Sequence, residues 1–189
     1  MSLARRTLDL LGFTFALLGA AAAWPVAAND KPMLERARDG VTNIWNEGTN
    51  DFYLPLRTHH LRFAYDRNKI DGYQEQPLGI GFGRSLYEEG LWRGLYVLAF
   101  QDSHFKPSYM AGYAHQWLWK PAQDFRVGGG LTAFVMARSD IGHYTPFPGL
   151  LPTASIGYKN VSIETTYVPG TRGAGNILFF WGRIELDRK

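Results

Sequence analysis

The chain has 189 residues, 46% of them hydrophobic and 15% aromatic, and a formal net charge of +3. That length suits one domain, the apolar content argues against disorder, and the small charge without any long basic run argues against a nucleic-acid partner. Cysteine is absent, which excludes a disulfide framework, a thiolate nucleophile and a thiolate metal site.

Residues 1–28 have the pattern of an export signal. Arg5 and Arg6 form a basic start, Leu8 to Trp24 is mostly apolar, and Val26-Ala27-Ala28 supplies the small residues for cleavage after Ala28. The alternative, an N-terminal membrane anchor, is opposed by Asp9 and Pro25, which interrupt the stretch. The mature chain is expected to begin near Asn29, outside the cytoplasm. Beyond Ala28 no apolar run is long enough for a membrane-spanning helix.

An amphipathic helix is expected within 29–50. Met33, Leu34, Ala37, Val41, Ile44 and Trp45 recur at helical spacing over 31–48, Pro32 suits its first turn and Gly48 its end. It packs as a surface helix, or lies at a membrane interface with Trp45 at headgroup level.

From Leu54 the period changes to two, and 51–189 is expected as a barrel. Eight strands are predicted at 55–67, 77–88, 91–102, 109–119, 125–138, 151–158, 160–168 and 176–187, separated by turn residues such as Glu89-Gly90 and Lys159-Asn160. In 91–102, Trp92, Tyr96, Leu98 and Phe100 share a side. In 109–119, Tyr109, Tyr113, His115, Trp117 and Trp119 alternate with smaller residues. A bulky aromatic face opposite one rich in Gly, Ala and Thr suggests bulk turned toward lipid. With an even strand count behind a signal, the fold class expected is all-β, an eight-stranded antiparallel transmembrane barrel of the bacterial outer membrane. A soluble lipid-carrying barrel, with bulk inside, is the alternative. Gly79, Gly81 and Gly83 at period two, with Gly128 to Gly130 and Gly112, imply either a hollow lumen suited to one hydrocarbon chain or tight packing in a small barrel.

The candidates for chemistry are few. Nucleotide-binding glycine motifs, an HxxxH pair and a G-x-S-x-G elbow are all absent from the sequence. What remains is His59-His60 and the strand-end pair Asp102-Ser103, which spacing alone leaves open between turn residues and an acid–base or nucleophilic group. Neither a metal nor a cofactor is called for.

Three longer stretches carry more. THHLRFAYDRNKIDGYQEQPLGIGFG (58–83), GLYVLAFQDSHFKPSYMAGYAHQW (94–117) and GLLPTASIGYKNVSIETTYVPG (149–170) resemble the signature regions of the lipid A palmitoyltransferase family, PagP. The resemblance runs from about 45 to 186. It implies an acyltransferase that moves a palmitoyl chain from the sn-1 position of a glycerophospholipid donor to a hydroxyacyl arm of the lipid A acceptor. A single acyl chain would be measured in the barrel lumen. The family's catalytic His, Asp and Ser fall on His60, Asp102 and Ser103 at the outer mouth. His60 would act as general base, Asp102 would orient it, and Ser103 would serve as nucleophile or, preferably, as donor to the oxyanion. Prolines that interrupt the barrel wall to admit acyl chains fall on Pro55 and Pro77, and on Pro152 and Pro169. The acyl pocket of the family corresponds to Gly112 and Ala114. The family's floor glycine is replaced by Ala114, so a chain slightly shorter than palmitoyl is expected. The other departure is the ending Asp187-Arg188-Lys189, without the aromatic residue of such barrels, which bears on assembly. Outer-membrane lipid is the expected surrounding and a monomer the expected state. A binding barrel without catalysis is the rival class.

Overall fold

The structure is a computed structural model that describes residues 32–186. The expected signal segment and residues 187–189 lie outside the described residues.

Helix α1 (Met33–Glu47) begins after Pro32, whose carbonyl accepts the Arg36 N–H at 3.1 Å. It stops at Gly48, whose N–H donates to Ile44 O at 3.0 Å. Only glycine fits there, because a Cβ would stand 2.3 Å from Ile44 O and 2.9 Å from Ser85 O. The chain from Arg38 onward is one compact unit. Within it Ile44 is fully buried, while Val41 and Trp45 stay on the surface.

Eight strands follow: β1 (Thr49–His60), β2 (Gly79–Glu88), β3 (Leu91–Gln101), β4 (Pro107–Ala122), β5 (Phe125–Arg138), β6 (Phe147–Tyr158), β7 (Val161–Val168) and β8 (Ile177–Glu185). Each pairs antiparallel with its neighbours, and β1 pairs with β8 to close the barrel. At one end the connections are tight. Glu89 and Gly90 both take positive φ, the conformation of a hairpin turn that matches strand twist. At the other end the connections are long: L1 (61–78), L2 (102–106), L3 (139–146) and L4 (169–176). No described helix is long and apolar enough to cross a membrane. The strands carry the outward apolar residues instead, among them Phe82, Val97, Val135, Ile156 and Ile163, with Trp117, Trp119 and Tyr158 toward the short-turn end.

Three departures from the sequence reading have physical reasons. First, β1 begins at Thr49, before the predicted start, because its inward residues include charged Asp51 (1% exposed), which an apolar period does not reveal. It also stops at His60, since Arg62–Ala64 makes a 3₁₀ turn and Arg67–Ile70 a one-turn helix, α2. Second, β6 begins at Phe147, and Pro148 and Pro152 are accommodated because the wall on its β7 side is open there. Third, the bulky side of β3 is turned inward, not toward lipid: Trp92, Tyr96, Leu98 and Phe100 are 1%, 7%, 4% and 8% exposed. The β2 glycines explain this. Gly79, Gly81 and Gly83 stand in register with Phe100, Leu98 and Tyr96, and a Cβ on them would press on the Phe100 Cβ at 2.5 Å, the Leu98 side chain at 2.5 Å and the Tyr53 ring at 2.9 Å. These glycines therefore serve packing, whereas the bulky sides of β4 and β5 do face outward.

The barrel interior has two halves. Toward the short-turn end it is filled by a buried charged cluster around Arg183. Its Nε donates to Glu164 Oε1 at 2.6 Å, Nη1 to Glu185 Oε1 at 3.0 Å and Nη2 to Tyr87 OH at 3.0 Å. Nη1 also lies 3.5 Å from Asp51 Oδ1, and the guanidinium sits 4.4 Å over the Trp92 ring. Arg126 pairs with Glu185 at 3.3 Å. Toward the long-loop end the interior is hollow. Removing one ion of such a cluster strands the others without solvent. Arg183→Met is expected to cost about 3–5 kcal/mol of stability, read as a lowered urea midpoint for the protein refolded in lipid vesicles.

Candidate active site

The hollow is a cavity of about 390 Å³ that opens among the long loops. Its wall is apolar, with Phe100, Met110, Phe134, Met136, Phe179 and Trp181 facing in. Its deepest lining residues are Tyr96, Thr132 and Trp181. Tyr96 OH and Thr132 Oγ1 hydrogen-bond at 2.7 Å across the bottom. Gly112, expected in the acyl pocket, and Ala114, expected at its floor, lie behind it. A Cβ on Gly112 would stand 2.5 Å from the Tyr96 hydroxyl, and Ala114 is 3% exposed in the same packed cluster as Tyr96.

His60 and Ser103 meet at the mouth of this cavity. His60 ends β1, and Ser103 sits in L2 just beyond β3. Ser103 Oγ lies 3.3 Å from His60 Nε2. The imidazole is 2% exposed and wedged between two phenol rings. Tyr73 stacks on it at 4.5 Å and 28°, and Tyr65 meets it edge-on at 5.1 Å and 88°. Tyr65 is itself fixed by a short hydrogen bond from its hydroxyl to Gly175 O, across to L4.

Asp102 takes a different place from the one expected. It is 4% exposed, but it does not orient the imidazole. Its Oδ1 accepts the backbone N–H groups of His104 (2.8 Å) and Lys106 (2.9 Å), which folds L2 into a tight turn and presents Ser103. Its Oδ2 faces Arg138 Nη2 at 3.6 Å. The carboxylate beside His60 is Glu75 of L1. Glu75 Oε1 accepts the His60 backbone N–H at 3.1 Å and lies 3.2 Å from Nδ1, while Oε2 accepts from Arg62 at 2.9 Å and Arg57 at 3.2 Å. An ionised carboxylate can only accept, so Nδ1 carries the hydrogen and Nε2 presents its lone pair to Ser103. The sequence reading missed Glu75. It stands in the signature stretch, but no spacing rule pairs it with a histidine fifteen residues earlier.

Asp102, His104 and Asp140 bring ligand atoms within 4.8 Å of one another. Arg138 already occupies this cluster as its cation: Nε and Nη2 each donate to Asp140 at 2.9 Å, and Nη2 also faces Asp102.

The four singled-out prolines lie at two breaks in the wall. The β1–β2 ladder ends at Tyr53↔Gly81, with buried Pro55 just above it on β1 and Pro77 just before β2. The β6–β7 ladder ends at Thr153↔Thr166, with Pro152 next on β6 and Pro169 just past β7. Thr166 Oγ1 donates to Pro152 O at 2.8 Å. Since N and O of one strand residue point the same way, the ring nitrogen of Pro152 also faces β7, where an N–H is missing.

Comparison with known proteins matches residues 40–183 to the family model "Antimicrobial peptide resistance and lipid A acylation protein PagP". A protein named lipid A acyltransferase PagP from Methylobacillus flagellatus is 44% identical over 176 residues, covering 93% of this chain and 96% of the relative. Proteins of the same name from Laribacter hongkongensis and Salmonella typhimurium are 46% and 44% identical, covering 80% and 85% of this chain and 74% and 86% of their own.

Burial alone would raise the Glu75 carboxyl, but the His60 backbone N–H, the Arg62 guanidinium and the His60 ring outweigh it and draw it from 4.5 down to about 2. A carboxyl lowered on folding stabilises above its unfolded value and loses that contribution as the pH falls through the folded one. Hydrogen-exchange protection of the His60 amide is therefore expected to be full above pH 4.5 and to fall away toward about 2; loss already at pH 5 would contradict this.

Proposed function

The chain belongs to the PagP family and is an acyltransferase acting on lipid A, and on that premise we propose that it transfers one long acyl chain from the sn-1 ester of a glycerophospholipid to a hydroxyacyl arm of lipid A, at the outer face of the bacterial outer membrane. The observation that carries this reading is the coincidence of a general-base constellation with the mouth of an apolar cavity: Ser103 Oγ at 3.3 Å from His60 Nε2, directly above the aromatic and methionine-lined hollow.

In the proposed reaction the donor's acyl chain lies in the cavity and its ester carbonyl rests at the mouth. The lipid A hydroxyl loses its proton to His60 Nε2 as its oxygen bonds to the carbonyl carbon. Collapse of the tetrahedral intermediate breaks the bond to the sn-1 oxygen, which takes the proton from Nε2 and leaves as lysophospholipid. Positioned general-base catalysis of this kind contributes about 10²–10⁴ in rate. Ser103 donates to the oxyanion, and Asp102 serves by holding L2 and thus Ser103 in place. A second use of Ser103, as nucleophile forming an acyl-enzyme, is favoured by its contact to Nε2. Intact mass of the protein incubated with donor alone distinguishes the two.

Lateral entry of the acyl chain is supported by the two wall breaks at Pro55/Pro77 and Pro152/Pro169. Acyl length is set, in this reading, by the Tyr96–Thr132 floor, with Gly112 and Ala114 acting through Tyr96 from behind. One barrel carries every group the reaction uses, which supports a monomer, and no metal or cofactor enters any step.

Lipid A from an outer-membrane host expressing the chain is expected to gain one long acyl group, and His60→Ala to lower its amount by about 10²–10⁴, both read by mass spectrometry. The added mass reports the length, expected to be shorter than palmitoyl; preferred palmitate would refute the pocket argument. Gly112→Ala presses on Tyr96 and is expected to shift the product toward still shorter chains.

A further inference from the structure

We infer that Glu75 is the residue that positions and polarises the catalytic imidazole, so that the reacting unit is Ser103–His60–Glu75 and Asp102 stands outside it. The inference rests on the proposed role of His60 and concerns what holds that base in its working state.

Four observations carry it. Glu75 Oε1 binds His60 twice, at the backbone N–H (3.1 Å) and beside Nδ1 (3.2 Å), so it fixes both the strand end and the ring rotation. Glu75 Oε2 is held by Arg62 and Arg57, so the carboxylate is pinned through both oxygens and cannot swing away. The backbone around it joins the two halves of the site: Glu75 O accepts the Thr58 N–H at 2.9 Å on β1, and the Gln74 N–H donates to Ser103 O at 3.0 Å in L2. Two residues earlier, Tyr73 sets the plane of the ring by stacking on it. Residues 73–75 thus determine ring plane, tautomer and the distance from Nε2 to Ser103. Asp102 makes none of these contacts. Its oxygens are directed to the His104 and Lys106 amides and to Arg138.

The chemistry follows from the position. When Nε2 accepts a proton, the ring becomes a cation with Nδ1–H already directed at a carboxylate. The ion pair forms without any group moving, and the charge appears where a counter-charge is waiting. The groups facing the ring are Glu75, Tyr65, Tyr73 and Ser103, with Arg62 and Arg57 on the far side of Glu75 and His59 next in the chain. Of these only Glu75 is an anion in contact with the ring. A neutral side chain there leaves the imidazolium facing arginines alone.

The test compares Glu75→Gln, Glu75→Asp and His60→Ala in detergent micelles, with a defined phospholipid donor and lipid A acceptor. Folding of each variant is verified by its heat-sensitive electrophoretic mobility. Glu75→Gln is expected to lower kcat by about 10²–10⁴ with little change in KM. It should also move the acid inflection of the rate profile to lower pH, because the imidazolium has lost its anion. Glu75→Asp keeps the charge and is expected to recover part of the rate with the inflection near its original place. Loss of rate with an unmoved inflection in Glu75→Gln would mean a structural role and overturn the inference. Full activity of Glu75→Gln with an inactive His60→Ala would overturn it while leaving the role of His60 intact. Full activity of both variants would remove the proposed reaction itself. A further measurement needs no variant: nitrogen-15 spectra of labelled histidine in the unmutated protein are expected to show His60 protonated at Nδ1 and bare at Nε2 near neutral pH. The opposite tautomer would overturn the inference even if Glu75→Gln failed to fold.

Discussion

A chain that crosses a bilayer as strands has no water to satisfy its backbone, so each N–H and C=O in the hydrocarbon must be paired within the protein. Everything in this molecule is arranged around that constraint and two controlled departures from it. The eight strands close from β1 to β8 without a free edge. The ladder then stops short of the mouth between β1 and β2, and again between β6 and β7. At both breaks other groups take over. The Thr58 N–H finds Glu75 O, and Pro152 O finds the Thr166 hydroxyl, while the nitrogen of Pro152 has no hydrogen to satisfy. Part of the backbone at each break is thus satisfied without a neighbouring strand.

The division of the lumen follows from how the inward residues are spent. Near the short turns they are charges and amides that satisfy one another around Arg183, a solid plug in which burial is tolerable only because the partners are present. Nearer the loops the inward residues are apolar and leave space. The boundary is the layer of Tyr96, Thr132 and Trp181. Beneath this layer lie the paired ions of the plug. The hollow therefore has a definite depth, and the glycines of β2 leave room beside it for the inward side chains of β3 and for the Tyr53 ring.

What could be read in the sequence and what could not divide along physical lines. The strand count, the tight turns and the helix were legible because lipid-facing positions alternate and turns use recognisable residues, and the barrel closed as expected. His60 and Ser103 were legible as a pair only through the resemblance of the stretches that carry them. Strand ends were misplaced where inward residues are polar: Asp51 on β1 looks like a turn residue in sequence and is among the most buried side chains in the barrel. The orientation of β3 was misread because bulk alone does not say which side it faces. The decision was made by Gly79, Gly81 and Gly83 on the neighbouring strand, a pairing that exists only once the register is known. The contact between Glu75 and His60 went unread for a similar reason, with Asp102 singled out instead. Asp102 is adjacent to Ser103 in sequence, whereas Glu75 reaches His60 only because L1 folds back on β1.

That fold-back lies where the β1–β2 ladder is interrupted. β2 begins at Gly79, so above Tyr53 the strand β1 has no sheet neighbour on that side, and L1 lies there instead. The stretch of β1 that leaves the wall open is the stretch whose Thr58 and His60 amides are held by Glu75, through its carbonyl and its carboxylate respectively. A continuous β1–β2 ladder up to His60 would occupy those same amides and leave no place for the segment that packs against the imidazole. Ending the β1–β2 ladder at Tyr53 thus frees the Thr58 and His60 backbone donors that Glu75 takes up.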